Sequence, residues 1–523
     1  MKYFKFSLFL GLLFCIFSCN TQHSEYYQAS VIINRNVSSK TYNPMIFGGF
    51  IEHFGKQIYG GVFDPGSLLS DENGFRNDVI EALNELKVPV IRWPGGCFVD
   101  GYHWMNGVGN NRQPTDDIRW GVIEPNKFGT HEFIELCRLL NSEPYICHNG
   151  LADVQEMSDW VKYSNATEGK LAEIRKKNGS LNPFNVKIWS VGNERSGHDY
   201  IHKVRDAGLA IKEIDSSILV TCSGTHGGSD IDPYLFESAG KYLDYISVHE
   251  YWIKNWQKHS TPSYMSCMML SEKPESYIKK VINSIQTAET KGYIKKGQIK
   301  IAFDEWNLRS WHHPGFQRLE KVDYDDPEII KLVKARDKSL NPSIYNISDA
   351  LFTASFLNSC IRNSDYVSMA NIAPLVNQTG PLYVHPNGIV KRTHFHTIAM
   401  YANELEEYFR STEIMGKKLS DGKDSVSVID AIATVDEKGE NWSISLVNRH
   451  PSESIECKVT IGEEQLNGTY IAKRLKGESI NTYNDIQNPN RVIPREVELK
   501  FTKGIVKLPP HSLTIVHVKG EFL

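Results

Sequence analysis

No long basic block, no CxxC pair and no low-complexity linker occurs anywhere in the 523 residues. With a net charge of −4, the missing basic block leaves no footprint for nucleic acid or for an anionic membrane surface. No GxGxxG opens a helix after the first strand-like run, which removes the signature of a dinucleotide-binding open sheet. Cysteine is sparse. Nine occur, two of them (Cys15 and Cys19) near the N-terminus. The others, at 97, 137, 147, 222, 267, 360 and 457, are odd in number and irregular in spacing. That pattern indicates neither a disulfide framework nor a zinc site, so most are expected to be buried thiols. What is present is ordinary globular composition, 41% hydrophobic and 23% charged, in a chain long enough for one large domain and a smaller one. Aromatics reach 11%, with ten Trp and 24 Tyr, which suits a sugar cleft and plain core packing alike.

The N-terminus is more specific. Lys2 and Lys5 precede the apolar run FSLFLGLLFCIF, which is too short to span a bilayer comfortably and is followed at once by polar residues. This reads as a secretory leader, to be set aside in fold reasoning. Its end, Ile16-Phe17-Ser18-Cys19, resembles a bacterial lipobox, with Phe17 bulkier than the usual small residue. Residues 1–19 are therefore expected to be a lipoprotein signal, Cys19 the lipidated first residue and 20–28 a tether. The protein would then sit at the bacterial envelope, on the periplasmic face or the cell surface. An ordinary signal peptide cleaved nearby, or an uncleaved anchor, is the alternative.

From residue 42 to about 405, short apolar runs alternate with amphipathic stretches. Eight runs are found, at 45–50, 88–93, 144–148, 186–191, 218–223, 245–249, 299–303 and 368–373. Phe75, Val79, Leu83 and Leu86 fall at helical spacing between two of them, as do Phe133, Leu136 and Leu140. Residues 275–288 and 347–363 do likewise. Eight strands buried on both faces, each followed by a helix, predict a (β/α)8 TIM barrel over 42–405. Beyond it the period changes to two, split by turn signals such as DEKGEN, and residues 406–523 read as an all-β sandwich. The strand-like 29–41 precedes the barrel and is expected to pair into that sandwich.

A barrel of this kind carries its active site where the strands end at their C-terminal side. The first run ends in Glu52-His53, the second in Arg92-Trp93-Pro94-Gly95-Gly96-Cys97, the third in His148-Asn149 and the fourth in Asn193-Glu194. The sixth ends in His249-Glu250-Tyr251-Trp252 and the seventh in Asp304-Glu305-Trp306-Asn307. A purely structural barrel has no need of this gathering. Glycoside hydrolysis, by contrast, needs two acids across a sugar ring, one protonated to assist the leaving group and one ionised. Their pKa values are pushed apart by a drier setting for the acid and hydrogen-bond donors for the nucleophile. Arg92, His249 and Tyr251 are the donors available to Glu305. Glu194 is then the proton donor, and Asn193 beside it can hold a sugar 2-hydroxyl.

The motifs WSVGNE, FDEWN, IFGGFIEH and RWPGGCFVDGYHW, continued by VHEYW and NQTGPLYVHPNGIVKRTHFH, closely resemble the family 51 glycoside hydrolases. These are α-L-arabinofuranosidases of the large clan of retaining (β/α)8 enzymes, and the likeness spans most of 29–523. The resemblance implies a retaining, exo-acting hydrolysis without metal or organic cofactor, with Glu194 as acid/base and Glu305 as nucleophile. It also implies that Glu52 and Asn193 bind furanose hydroxyls and that Arg92, His249 and Tyr251 support the nucleophile. Cys97 stands where some members carry Asn and others Cys, so its contact to the sugar would be weak or run through the backbone. Trp252, at the same strand end as Tyr251, is counted with the substrate-binding residues. Pro374 stands where many bacterial members carry a sugar-binding Gln, so that contact is absent here. Arabinan, arabinoxylan or oligosaccharides derived from them are the implied substrates, and a homo-oligomer the implied assembly.

Three rivals are weaker. A metal-dependent amidohydrolase wants His-x-His after its first strand, where this chain has Ile51-Glu52-His53. Its one His-x-His pair, His394 and His396, falls in a helical stretch where that spacing turns the two to different faces. A binding protein with a dead site would not keep both Glu194 and Glu305. An endo-glucanase or β-xylosidase would share barrel and mechanism and differ only in substrate.

Overall fold

The computed structural model describes residues 27–35, 40–117, 119–120, 122–253, 261–310 and 345–520; the leader, the lipobox and most of the tether lie outside them. Eight parallel strands close into a barrel in sequence order: β1 (Gly48–Phe50), β2 (Val90–Trp93), β3 (Glu143–His148), β4 (Ile188–Val191), β5 (Leu219–His226), β6 (Tyr245–Ile253), β7 (Lys300–Arg309) and β8 (Val367–Ile372). Every expected run supplies a strand. The first is shorter than its apolar pattern because Pro44–Phe47 winds into a 3-10 turn, its amide at Met45 capped by the Asn43 side chain. Val90, Tyr145, Ile188, Tyr245, Ala302 and Met369 fill the barrel interior. Residues of opposite parity pack outward against helices such as Asn77–Glu85 and Thr130–Leu140, whose Val79, Leu83, Phe133, Leu136 and Leu140 are buried. Each such side chain contributes about 1.5–3 kcal/mol by leaving water.

Strand β7 breaks the alternation. Against β6 its register jumps between Ala302 and Glu305, and against β8 between Phe303 and Trp306. A bulge of this kind puts two consecutive residues on one face. Asp304 and Glu305 thus both reach the inside of the barrel, while Phe303 and Trp306 face the helix Ile347–Arg362, where Trp306 stacks on Phe356 at 3.7 Å. The bulge is what brings a second carboxylate to the mouth.

The C-terminal part is a sandwich of a six-stranded and a five-stranded sheet over its own apolar core. Ala29–Ile33 lies in the five-stranded sheet, antiparallel to Thr412–Gly416 and parallel to Ile455–Ile461, so both ends of the described chain build it. Period-two patterning is plain in Ile455–Ile461, where Ile455, Cys457, Val459 and Ile461 are buried and the residues between them are not. The six cysteines of this chain at 137, 147, 222, 267, 360 and 457 are buried free thiols, and Cys97 is a half-buried one.

An ionic knot joins barrel to sandwich. Asp430 accepts from Arg362 and Arg449, each at 2.9 Å, and these also hold Glu275 and Glu272 of the barrel. Burial pushes the Asp430 carboxyl up, but the two guanidiniums outweigh it and hold the group down at about 2. Its stabilisation is therefore complete above the unfolded value of about 3.9 and is lost as pH falls through about 2. Asp430→Ala should leave the fully buried Arg449 with Glu272 alone as its carboxylate partner and cost about 3 kcal/mol at neutral pH, read as a lowered urea midpoint with the active site intact at 25 °C.

Candidate active site

Glu305, on the bulge of β7, is 6% exposed. Its Oε1 accepts from Arg92 Nη1 at 2.6 Å and its Oε2 from the Tyr251 hydroxyl at 3.0 Å. Arg92 is fully buried on β2; its Nη2 donates to Asn193 Oδ1 at 2.7 Å and its Nε lies 3.3 Å from Asp304 Oδ2. Burial opposes its charge, but Asp304, Cys147 and Glu305 more than compensate, so Arg92 stays a cation. With its carbonyl held by Arg92, Asn193 is left to offer its Nδ2 amide to a substrate hydroxyl.

Glu194 follows Asn193 on the turn after β4, with its backbone in the left-handed region at φ 47°. A non-glycine residue there is uncommon and is found where surrounding contacts enforce it. Its side chain is 31% exposed, and its Oε1 accepts from His249 Nδ1 at 2.9 Å. The same Nδ1 is 3.6 Å from Glu305 Oε2. His249 therefore serves both acids: its hydrogen bond goes to Glu194, and the same nitrogen makes a 3.6 Å ion pair with Glu305 Oε2. The reason lies in the ring's other nitrogen. Nε2 is 3.0 Å from Ser247 Oγ and 3.3 Å from Asp304 Oδ1, which leaves one donor to aim at the mouth.

Burial opposes protonation of His249, but Glu305, Asp304 and Glu194 raise its pKa to about 10, so it is an imidazolium at neutral pH. Asp304 is pushed up by burial and pulled down more strongly by Arg92 and His249, to about 2. Tyr145 donates to it at 2.7 Å and Ser247 at 2.6 Å. Burial raises Glu194, yet the His249 hydrogen bond and charge prevail and hold it below the usual carboxylate range. The expected drier setting for the acid is therefore not what separates the two groups before substrate arrives.

Glu52, after β1, closes the other side. Its Oε1 accepts from the Phe98 amide at 2.7 Å and from Trp120 Nε1 at 3.1 Å. Burial first, then the charge of Glu305, raise it to about 8 against those donors, so it is largely protonated at pH 7 and can donate as well as accept. The two glycines after β2 allow this close fit: a Cβ at Gly96 would lie 2.7 Å from Glu52 Oε2. Cys97 follows them; burial and the charges of Glu52, Glu194 and Glu305 push its thiol well up, so it stays neutral among the three carboxyls.

Of the strand-end residues singled out in the sequence, the structure brings together Glu52, Arg92, Cys97, Asn193, Glu194, His249, Tyr251 and Glu305. Trp252 is not among them. His249 and Tyr251 point inward on β6, so Trp252, one residue on, faces outward and packs on Phe303, Phe352 and Phe356 with ring centroids 5.2–5.9 Å apart. His148 is structural too, stacked on Trp189 with its nitrogens 3.1 Å from the Ser190 and Met157 carbonyls. His394 and His396 lie on the helix Thr393–Glu404 and turn to separate partners, the Thr379 carbonyl and Asn484. Sequence reading placed Asp304 at a strand end without a role and missed Ser247 and Tyr145, all three of which orient His249 and Arg92, and Trp120, which orients Glu52.

One oxygen each of Glu194 and Glu305 and a nitrogen of His249 lie within 4.8 Å of one another, a spacing that a metal ion can use. The donor chemistry does not fit one. A ligating histidine must be neutral, whereas His249 is held protonated with both nitrogens engaged, and Arg92 already occupies Glu305. Two carboxylates at this distance, one gripped by donors and one beside an imidazolium, have instead the geometry that an acid–nucleophile pair needs.

Comparison with known proteins identifies the family. Residues 82–267 match the alpha-L-arabinofuranosidase 1 domain and residues 304–512 the alpha-L-arabinofuranosidase C-terminal domain. Alpha-L-arabinofuranosidase C of Emericella nidulans is 35% identical over 96% of this chain and 99% of its own length. An intracellular exo-alpha-(1->5)-L-arabinofuranosidase of Acetivibrio thermocellus is 31% identical over 82% of this chain and 86% of its own. The structure of a family 51 alpha-L-arabinofuranosidase from Bifidobacterium longum superposes with a TM-score of 0.83 at 25% identity, over 95% of this chain and 99% of that one. The chain belongs to the family 51 glycoside hydrolases and is an α-L-arabinofuranosidase.

Proposed function

We propose that the enzyme removes terminal α-L-arabinofuranosyl units by double displacement, with Glu305 as nucleophile and Glu194 as acid/base. The observation that supports this most is that one oxygen of Glu194 and one of Glu305 lie within 4.8 Å of each other. Inverting enzymes need roughly 6.5–9.5 Å between the carboxyls to seat a water, whereas retaining enzymes hold them about 5–5.5 Å apart. In the first step Glu305 attacks the anomeric carbon, the bond to the leaving oxygen breaks, and Glu194 protonates that oxygen. In the second, Glu194 takes a proton from water, the water oxygen attacks the same carbon, and the bond to Glu305 breaks. The proton for the first step rests on the His249 imidazolium, which donates to Glu194 and passes the proton along that bond. Once Glu305 is esterified its charge is gone, His249 becomes less basic, and Glu194 is left ionised to act on water. Glu52 and the Asn193 amide hold furanose hydroxyls beside this pair.

Arabinan, arabinoxylan and their oligosaccharides are the substrates we assign, attacked from the non-reducing end; the Acetivibrio relative is named an exo-acting enzyme. A panel of p-nitrophenyl glycosides tests the reading: the α-L-arabinofuranoside should be turned over fastest, with the arabinopyranoside, xyloside and glucoside far behind, and EDTA should change nothing. Preference for the xyloside or glucoside, or loss in EDTA restored by zinc, would refute it. The Ile16–Cys19 stretch supports export and lipid anchoring at Cys19. Cys19→Ala should release the protein from membranes or block its maturation; a variant still membrane-bound with unchanged mass rules the anchor out. The family resemblance also supports a homo-oligomer, which sedimentation velocity measures directly.

A further inference from the structure

Asp100 sits in the 3-10 turn Cys97–Gly101 after β2, with its side chain 1% exposed. One of its oxygens, Oδ2, accepts from two guanidiniums: Arg195 Nη1 at 3.1 Å and Arg119 Nη2. Neither arginine is remote from the chemistry. Arg195 immediately follows Glu194, and Arg119 immediately precedes Trp120, the donor to Glu52. Three mouth loops that are far apart in sequence therefore meet on one buried oxygen.

The route of the Arg195 side chain is also built in. It runs back across Gly150, where a Cβ would fall 2.5 Å from Arg195 Cδ, so the glycine in the loop after β3 is the floor on which its stem lies. The Arg195 amide donates to Ser223 Oγ at 3.2 Å, which fixes the backbone from the other side. Trp120 is seated in the same way, its amide donating to Asp117 Oδ2 at 2.8 Å and its ring stacked on Phe54 at 4.3 Å. Glu194 keeps a left-handed backbone, a conformation costing about 1–3 kcal/mol that lasts only where its neighbours enforce it. The Arg195 clamp is such a constraint, and it acts on the residue next in the chain. A buried carboxylate with two charged donors is also costly to disturb, since removing a partner leaves an uncompensated charge.

We infer that Asp100 is a positioning residue for proton transfer: through Arg195 it sets where the Glu194 carboxyl meets the leaving-group oxygen, and through Arg119 it ties that turn to the Trp120–Glu52 wall of the sugar pocket. This rests on the reading of Glu194 as acid/base. Asp100 touches no substrate, and its effect is geometric. A misplacement of about 1 Å can cost roughly 100-fold in rate, which is the scale available to such a residue.

The test is a series of aryl α-L-arabinofuranosides of rising leaving-group pKa, with an arabino-oligosaccharide at its end, run on the full-length enzyme. Asp100→Asn keeps shape and removes charge; Arg195→Met keeps the stem over Gly150 and removes the donor. Both should lose at most about threefold on the dinitrophenyl substrate and roughly 10- to 100-fold on the oligosaccharide, a share of what general acid catalysis supplies. Arg195→Lys should recover most of the loss. Arg119→Met should raise KM along the whole series without changing its slope. Because Arg195 is about 29% exposed, its substitution keeps the test open if Asp100→Asn does not fold. An equal loss on every substrate, or none on any, overturns the inference. Glu194→Ala in parallel separates the failures: if that variant shows no leaving-group dependence the acid/base assignment itself falls, and if it alone shows the dependence only the role of Asp100 does.

Discussion

Glu305→Ala should lose hydrolysis on every substrate, activated or natural, by about 10⁴-fold or more, the scale on which removing a nucleophile acts elsewhere. Three observations lead there. The bulge of β7 delivers the carboxylate to the mouth, Arg92 and Tyr251 keep it aimed, and burial strips it of the water that would blunt its attack. Without it there is no covalent route, and a good leaving group cannot help. The effect should also be local. Arg92 keeps Asp304 and Asn193 as partners, so the variant should fold and still bind arabinose. Burst kinetics with a dinitrophenyl arabinofuranoside separate the cases: wild type forms the glycosyl-enzyme and the variant forms none. An arabinosylated Glu305 should be found by mass spectrometry after quenching, and label on any other side chain would remove Glu305 from this role.

Glu194→Ala should behave differently, because its effect depends on the bond being broken. A sugar alcohol leaves poorly without a proton, so oligosaccharide hydrolysis should fall by roughly 10²–10⁴-fold. A dinitrophenolate leaves unaided, so glycosylation by that substrate should persist at nearly the wild-type rate. Deglycosylation loses its base in either case, and the intermediate should accumulate, giving a fast burst followed by a slow steady state. The pH profile carries a second mark. His249 owes part of its high pKa to Glu194, so removing that carboxylate should make the ring less basic. NMR titration of the His249 ring should show the shift, and an unchanged titration would mean that the two do not share a proton.

Most of this site could be read from strand ends because a parallel barrel fixes where a strand's last residues point. Glu52, Arg92, Asn193, Glu194, His249, Tyr251 and Glu305 were found by that rule, and it needs only the apolar period and its break. The rule fails where parity or long-range contact decides. Trp252 shares the end of β6 with Tyr251 but has the opposite parity, so it packs outward. In FDEWN parity misleads the other way: strict alternation admits Asp304 or Glu305 but not both, and only the bulge lets both face inward. Which carboxylate receives the His249 proton depends on Ser247 and Asp304 occupying the ring's far nitrogen, and no local pattern carries that. The Asp100 clamp is hidden for the same reason, since its partners lie 19 and 95 residues away. The sandwich was legible from its period of two, including the N-terminal strand, because burial of one face is enough to set it.

The central claim is that Glu305 forms the covalent bond and Glu194 only moves protons. The anomeric configuration of the product made by Glu194→Ala in the presence of azide tests it most directly. Azide attacks without needing a base, so it should restore turnover of an aryl arabinofuranoside and yield the α-arabinofuranosyl azide, retained in configuration through two inversions. A β-azide from Glu194→Ala would contradict the account, and an α-azide from Glu305→Ala beside it would mean that the two roles are exchanged.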